Sequence, residues 1–271
     1  MHICKFFCTF VADFGIIMEK ISKVQVKLVK SLQIKKYRNE LGLFVAEGDK
    51  CVSELTKAFE LVHLYREGEN ATRTEIEQMS GLRMPQGVIG VFRKSEYSDY
   101  SEYSELTLTL DGIQDPGNLG TIIRTCDWFG VHDIFCSLDT ADCYNPKVVQ
   151  ATMGALARVR VHYVDLPKWL SEQSCPIIGT LLEGKDMYDV MSSCRHDETP
   201  TIIIMGNEGN GISQEVRKLV SLPIRIPSYP KNGASEHSGK KEEAPEVIES
   251  LNVSIATAIV LAEFRRRSSA L

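Results

Sequence analysis

Three polar stretches of the chain hold residues whose types and spacing suit chemistry. The first is Asp115-Pro116-Gly117-Asn118, followed by Arg124. Asp-Pro-Gly-Asn is turn chemistry that ends a strand and opens a helix, with Asn118 or a neighbour placed to cap it. Leu119, Ile122, Ile123 and Cys126 then recur at i, i+3, i+4 and i+7, which makes a buried stripe. Arg124 falls about 100° round the helix from Ile123, at the edge of that stripe. Two readings of it stand: a surface arginine lying along apolar neighbours, or a guanidinium presented to a ligand. The second stretch is Gly206-Asn207-Glu208-Gly209-Asn210-Gly211, directly after the apolar run Thr201–Met205. Three glycines there allow a tight turn or a close approach of backbone to ligand. The third is Asn252 and Ser254, the polar exceptions at the head of an apolar terminal helix, where capping alone would account for them.

The glycine loop can be tested against two phosphate loops. A Walker A loop has its two glycines at the spacing of Gly206 and Gly211, but its lysine position holds Ile212, so the γ-phosphate lacks its ammonium partner and an ATPase is disfavoured. A dinucleotide fingerprint starts at Gly209-Asn210-Gly211, but its third glycine position holds Gln214.

The elements that must position these loops can be read from hydrophobic texture. From Leu106, the segments LTLTLDGI, DIFCSL, RVHYV, PIIGTLL, TIIIMG and LPIRIP read as strands. Helical stretches such as NPKVVQATMGALA and ISQEVRKLV separate them. Strands apolar throughout, alternating with helices, predict a parallel sheet covered on both faces, with ligands beyond the carboxyl ends of its strands. The last helix, with Val253, Ile255, Ala256, Ile259, Val260, Leu261 and Phe264, is apolar almost all round and must be covered by the sheet, a partner subunit or both. Arg265 to Arg267 suit the negative pole at its end and are not read as an RNA site.

Before this unit, LGLFVAEG, DKCVSELTKAF, LVHLYRE, a helical pattern from Arg73 to Met79 and GVIGVFRK alternate as in a small α/β module ending near Lys94. The polar, tyrosine-spotted residues 95–105 read as a linker, with base stacking by the tyrosines as the alternative. A length of 271 residues fits two ordinary domains at about 150 residues each. The expected division is 18–94, 95–105 and 106–271, with residues 1–17 as an extension or upstream start.

Net charge is −5 with 43% apolar and 25% charged residues, so bulk charge does not announce a nucleic-acid partner. Between Lys20 and Arg38, however, Lys20, Lys23, Lys27, Lys30, Lys35, Lys36 and Arg38 occur with no acidic residue among them. This is either a solvated helix face or a phosphate-contacting strip. The eight cysteines include no C-x-x-C pair, which disfavours tetrathiolate zinc and a disulfide scaffold; buried thiols and cytoplasmic residence are expected. The apolar start is too short to span a bilayer, and no membrane association is expected.

In combination, Asp115-Pro116-x-Asn118-x-Gly120 with Arg124, Met205-Gly206-Asn207-Glu208-Gly209-x-Gly211, and Ile226-Pro227 with Ser250-Leu251-Asn252-Val253-Ser254 resemble the three motifs of the SpoU (TrmH) family of RNA ribose methyltransferases, of the SPOUT class. The resemblance implies a parallel sheet with a carboxyl-terminal deep trefoil knot, homodimerisation through that domain, S-adenosylmethionine as cofactor and no metal. Residues before Lys94 resemble the L30e-like substrate-binding domain that often precedes the catalytic unit. By this carry-over Arg124, Asn118, Glu208 and Ser254 are catalytic. Arg124 acts as base or as stabiliser of the alkoxide, Glu208 orients Arg124 or its loop, Asn118 positions the ribose, and Ser254 touches substrate or the methionine end. Leu181, Gly206, Asn207, Gly211, Ile226, Leu251 and Asn252 hold the cofactor, and Lys27, Lys30, Lys35, Lys36 and Arg38 meet RNA. The expected activity is 2′-O-methylation of 23S ribosomal RNA. Transfer RNA is the nearer alternative, then a non-catalytic RNA-binding protein of the same fold, and a nicotinamide oxidoreductase is more distant. The polar segment 228–249 departs from the family pattern, either as a tolerated insertion or as a cover for substrate.

Overall fold

The computed structural model describes residues 21–95, 105–193, 200–229 and 250–268, so residues 1–17, most of the linker and nearly all of segment 228–249 lie outside the described residues. The chain forms two compact units.

The first contains α1 (Lys23–Ser31), α2 (Lys35–Leu41), β1 (Leu43–Glu47), α3 (Asp49–Leu55), β2 (Leu61–Arg66), α4 (Arg73–Met79) and β3 (Val88–Arg93). Its sheet is antiparallel, in the order β1-β3-β2. Successive strand residues face opposite sides. Thus the pair Val45–Val91 enters a core with Val29, Leu32, Tyr65, Ile76, Met79 and Ile89. The neighbouring pair Phe44–Phe92 stacks on the other face, ring centroids 5.5 Å apart. Capping boxes of Ser22 with Gln25 and Thr72 with Glu75 start α1 and α4.

The division is not the linear one expected. Asp142–Ala157, with α6 (Pro146–Thr152), lies in sequence between two strands of the second unit yet clusters with the first. The reason is packing: the Tyr144 ring lies tilted against that of Phe44, centroids 4.7 Å apart, α6 lies on β1, and the backbone at Gly154, with φ of +93°, sits so close to Glu54 that a Cβ there would come within 2.5 Å of its side chain.

The second unit carries β4 (Leu106–Asp111), α5 (Pro116–Trp128), β5 (Asp133–Ser137), β6 (Arg160–Val164), α7 (Leu166–Ser171), β7 (Ile177–Asp186), α8 (Met187–Ser193), β8 (Thr201–Gly206), α9 (Gln214–Arg217), β9 (Leu222–Arg225) and α10 (Val253–Ser268). All six expected strands form, in one parallel sheet of order β6-β5-β4-β8-β7-β9. In α10, Val253, Thr257, Val260, Leu261 and Phe264 are buried, but Ile255 is 54% exposed. Arg265 serves a helix other than its own: its guanidinium donates to the carbonyls of Phe129 and Gly130, which end α5.

Cys51, Cys126, Cys136 and Cys143 are buried and unbridged. Burial pushes the Cys51 thiol up to about 11, which keeps it protonated and inert. Among the described residues no helix is long and apolar enough to cross a membrane.

Candidate active site

The strand order reverses between β4 and β8: the chain leaves β4 for β5 and then β6 on one side, and on the other it enters at β7, steps inward to β8 and leaves β8 for the edge strand β9. At such a point the loops leaving adjacent parallel strands diverge and open a crevice beyond their carboxyl ends. The pair Asp111–Gly206 closes the β4–β8 register, so the first two motif loops leave the sheet side by side.

Asp115, not Asn118, caps α5, by accepting the Asn118 N–H at 2.8 Å. That leaves the Asn118 side chain free for long-range contacts. The glycine loop is closed by two bonds between Asn207 and Gly211, N to O at 3.0 and 2.9 Å. Gly211 has φ of +65°, the left-handed region glycine tolerates. Gly206 is needed for a different reason: a Cβ there would lie 2.4 Å from the backbone of Gly211 and Ile212.

Glu208 is the junction of the three loops. Its Oε1 accepts the Asn118 side-chain amide at 3.0 Å, the Asn252 side-chain amide at 2.7 Å and the Val253 backbone N–H at 3.0 Å. Asn252 also donates to Asn118 Oδ1 at 2.9 Å, while its own Oδ1 accepts the Ser254 N–H and hydroxyl at 3.0 and 2.6 Å. A side-chain amide offers two donors and one acceptor oxygen. Asn252 uses all of them, so it caps α10 and ties the loops instead of facing a ligand. Asn118, Glu208, Asn252 and Ser254, drawn from sequence positions up to 136 apart, thus form one hydrogen-bonded cluster.

Arg124 is not part of it. It is exposed on α5 and its side chain makes no hydrogen bond or ion pair among the described residues; of the two roles expected of Glu208, orienting Arg124 or the loop, its hydrogen bonds here are those of a carboxylate holding the loops. Gly206 ends β8 and Ile226 follows the last residue of β9, while Leu181 lies within β7, the strand between them. β7 makes a four-residue excursion, Leu181–Gly184, because Ile224 pairs first with Thr180 and then with Lys185. Leu181 is half-buried against a cluster containing Trp169 and Ile204, and Leu251 is 48% exposed beside Asn252. These half-exposed apolar side chains beside turning backbone suit an adenosyl group, which has an apolar body and polar edges.

In the first unit the basic strip divides. Lys23, Lys27 and Lys30 share the solvent pole of α1, opposite Val29, and Lys35 is exposed on α2. Lys36 is also exposed but lies 3.8 Å from Glu40. Arg38 is the correction: it is 1% exposed, bound to Asp142 through Nε at 3.0 Å and Nη2 at 2.7 Å, and donates through Nη1 to the Leu32 carbonyl at 2.9 Å. It cannot meet a phosphate. Its partner lies 104 residues away, so no local spacing signals the pairing.

Residues 105–235 match the SpoU rRNA Methylase family, and residues 23–79 match an MRM3-like substrate binding domain. A 23S rRNA (guanosine-2′-O-)-methyltransferase of Nitrosomonas europaea is 30% identical over 203 residues, 71% of this chain and 70% of its own. The solved structure of a TrmH-family putative RNA methyltransferase from Porphyromonas gingivalis is 32% identical, with TM-score 0.78 over 92% of this chain and 99% of that one. An AdoMet-bound rRNA methyltransferase from Sinorhizobium meliloti is 27% identical, with TM-score 0.75 over 92% and 97%. Relative lengths vary: the chain spans from 40% to 98% of the curated relatives it matches, several of them below two thirds.

Proposed function

The chain belongs to the SpoU (TrmH) family, and from that premise we propose that it transfers a methyl group from S-adenosylmethionine to a ribose 2′-hydroxyl of large-subunit ribosomal RNA. The observation that carries the reading is the junction at Glu208, where three loops meet at the reversal point of a parallel sheet. S-adenosylmethionine supplies an electrophilic methyl on a sulfonium, whose departing sulfide is neutral and calls for no metal. Leu181, Gly206, Gly211, Ile226 and Leu251 would hold it, with Asn207 and Asn252 shaping the loops.

The chain's task is the hydroxyl, a poor nucleophile near neutral pH. Arg124 is unpaired among the described residues and available to a phosphate or to a developing alkoxide. A guanidinium holds its proton across the physiological range, which favours electrostatic stabilisation over a base role. Asn118, held by Glu208, sits where a ribose would meet the loop, and Ser254 borders the same cluster. The arrangement further proposed is a trefoil knot formed around these loops, a homodimer covering the Ile255 side of α10, an L30e-like first domain, and work in the cytoplasm, in keeping with unbridged buried thiols.

Incubation with labelled S-adenosylmethionine and ribosomal RNA, followed by mapping of 2′-O-methyl marks, tests the reading. Transfer to a ribose of 23S RNA is expected, and no transfer to any RNA overturns it. Arg124→Lys is expected to be slower with an unchanged pH-rate shape; loss of a pH-dependent limb would restore the base role.

The same reading makes Lys27, Lys30 and Lys35 partners of backbone phosphates. Each ammonium group removed is expected to flatten the log–log salt dependence of RNA binding by about 0.7 to 0.9. The triple glutamine variant should therefore lose affinity mainly at low salt, and an unchanged slope would return the strip to a solvated helix face.

A further inference from the structure

The hydrogen bonds behind the glycine loop lead to two residues that no motif includes. We infer that Ser137 and Asp139, at the carboxyl end of β5, are positioning residues that hold the Gly112 peptide and, through it and Asn207, set the loop that would cradle the cofactor. This rests on the reading of that loop as part of the cofactor site.

Ser137 is buried, and its Oγ accepts the Gly112 N–H at 2.8 Å, donates to Asp139 Oδ1 at 2.5 Å and lies 3.0 Å from Thr140 Oγ1. A hydroxyl has one proton and two lone pairs. With the proton on Asp139, the oxygen serves as acceptor for Gly112, and the carboxylate polarises it toward that role. Gly112 has φ of +71°, in a region where glycine is freest, so what fixes the orientation of this peptide is the groups that bind it. Its carbonyl accepts Asn207 Nδ2 at 2.7 Å, and Asn207 Oδ1 in turn accepts the N–H groups of Gly209 and Asn210 at 2.8 and 3.2 Å. One residue earlier, Asp111 Oδ2 accepts the Ser213 N–H at 2.7 Å. The loop is therefore pinned near both ends to consecutive residues, Asp111 and Gly112, and Ser137 is the side chain that holds the second of these from behind. Glu208 lies inside the pinned span, so the path runs from Asp139 to the junction carboxylate.

The test uses the full chain with Ser137→Ala, the exposed Asp139→Ala, and Ser137→Thr, which keeps the hydroxyl. Titration calorimetry with S-adenosylmethionine and S-adenosylhomocysteine should show about five- to tenfold weaker binding for the two alanine variants, with a matching rise in the cofactor KM and unchanged RNA affinity. Ser137→Thr should restore both. In cofactor-free protein, amide exchange at Gly209, Asn210 and Ser213 should quicken in Ser137→Ala. Wild-type affinity and exchange in both alanine variants would overturn the inference, as would a parallel loss of thermal stability, RNA affinity and cofactor affinity. Should the wild-type chain bind no S-adenosylmethionine, the cofactor-site reading itself falls, whereas quickened exchange confined to the loop amides would still support the relay.

Discussion

Replacing Asp142 with alanine is expected to destabilise the protein by about 3–5 kcal/mol, the cost of leaving a buried charge without its partner. The Arg38 side chain is 2% exposed and that of Asp142 is 10%, so water cannot stand in for the missing carboxylate. The Leu32 carbonyl would satisfy one N–H of Arg38, and the N–H groups that Asp142 had accepted would be left buried without a partner among the described residues. In thermal unfolding this corresponds to a fall of roughly 5–9 °C for a chain of this size. An apolar pair, Arg38→Met with Asp142→Leu, should recover most of the loss, because a buried ion pair is worth little more than a well-packed apolar one. The two variants also decide what Arg38 is for. A stability loss in Asp142→Ala with near recovery in the double variant marks a structural pair. Unaltered stability together with weakened RNA binding in the double variant would return Arg38 to the RNA surface.

Glu208→Ala is expected to leave stability within about 1 kcal/mol of wild type, since the carboxylate is exposed and surface interactions contribute little. Methyl transfer, in contrast, should fall by about 100-fold or more. One oxygen collects donors from the first motif loop and from the head of α10, so its removal frees Asn118 and Asn252 together. A displacement of about 1 Å in a reacting constellation costs on the order of 100-fold in rate. Glu208→Gln keeps a carbonyl oxygen able to accept those hydrogen bonds and should retain an intermediate rate. Wild-type transfer by Glu208→Ala would show that the junction is dispensable and that the loops hold their places without it.

What could be read in advance follows a physical boundary between local and non-local information. A run such as Ile202–Met205, apolar at successive positions, demands burial on both faces, and all six segments read as strands are strands. The helix over Arg73–Met79 announces itself by its helical pattern, and the turn at Asp115–Asn118 by its residue types. Asn118, Glu208 and Ser254 were nominated by the resemblance of the three motifs to the SpoU (TrmH) family; by residue type alone Asn118 and Ser254 could equally have been caps.

Other features depend on partners distant in sequence. Asp115 takes the cap and frees Asn118, and Asn252 spends its amide on two loops. Arg38 looks like a member of a basic strip until Asp142 arrives from a crossover that joins the first unit. Hydrophobic period and turn chemistry are properties of neighbouring residues and are written along the chain, so sequence alone determined the strands and the parallel-sheet class, while the class of chemistry rested on the resemblance of the three motifs to a known family. Which donor meets which acceptor depends on backbone brought together from positions about 100 residues apart, and only the tertiary structure decided that Glu208 gathers the loops while Arg38 is withdrawn from the surface.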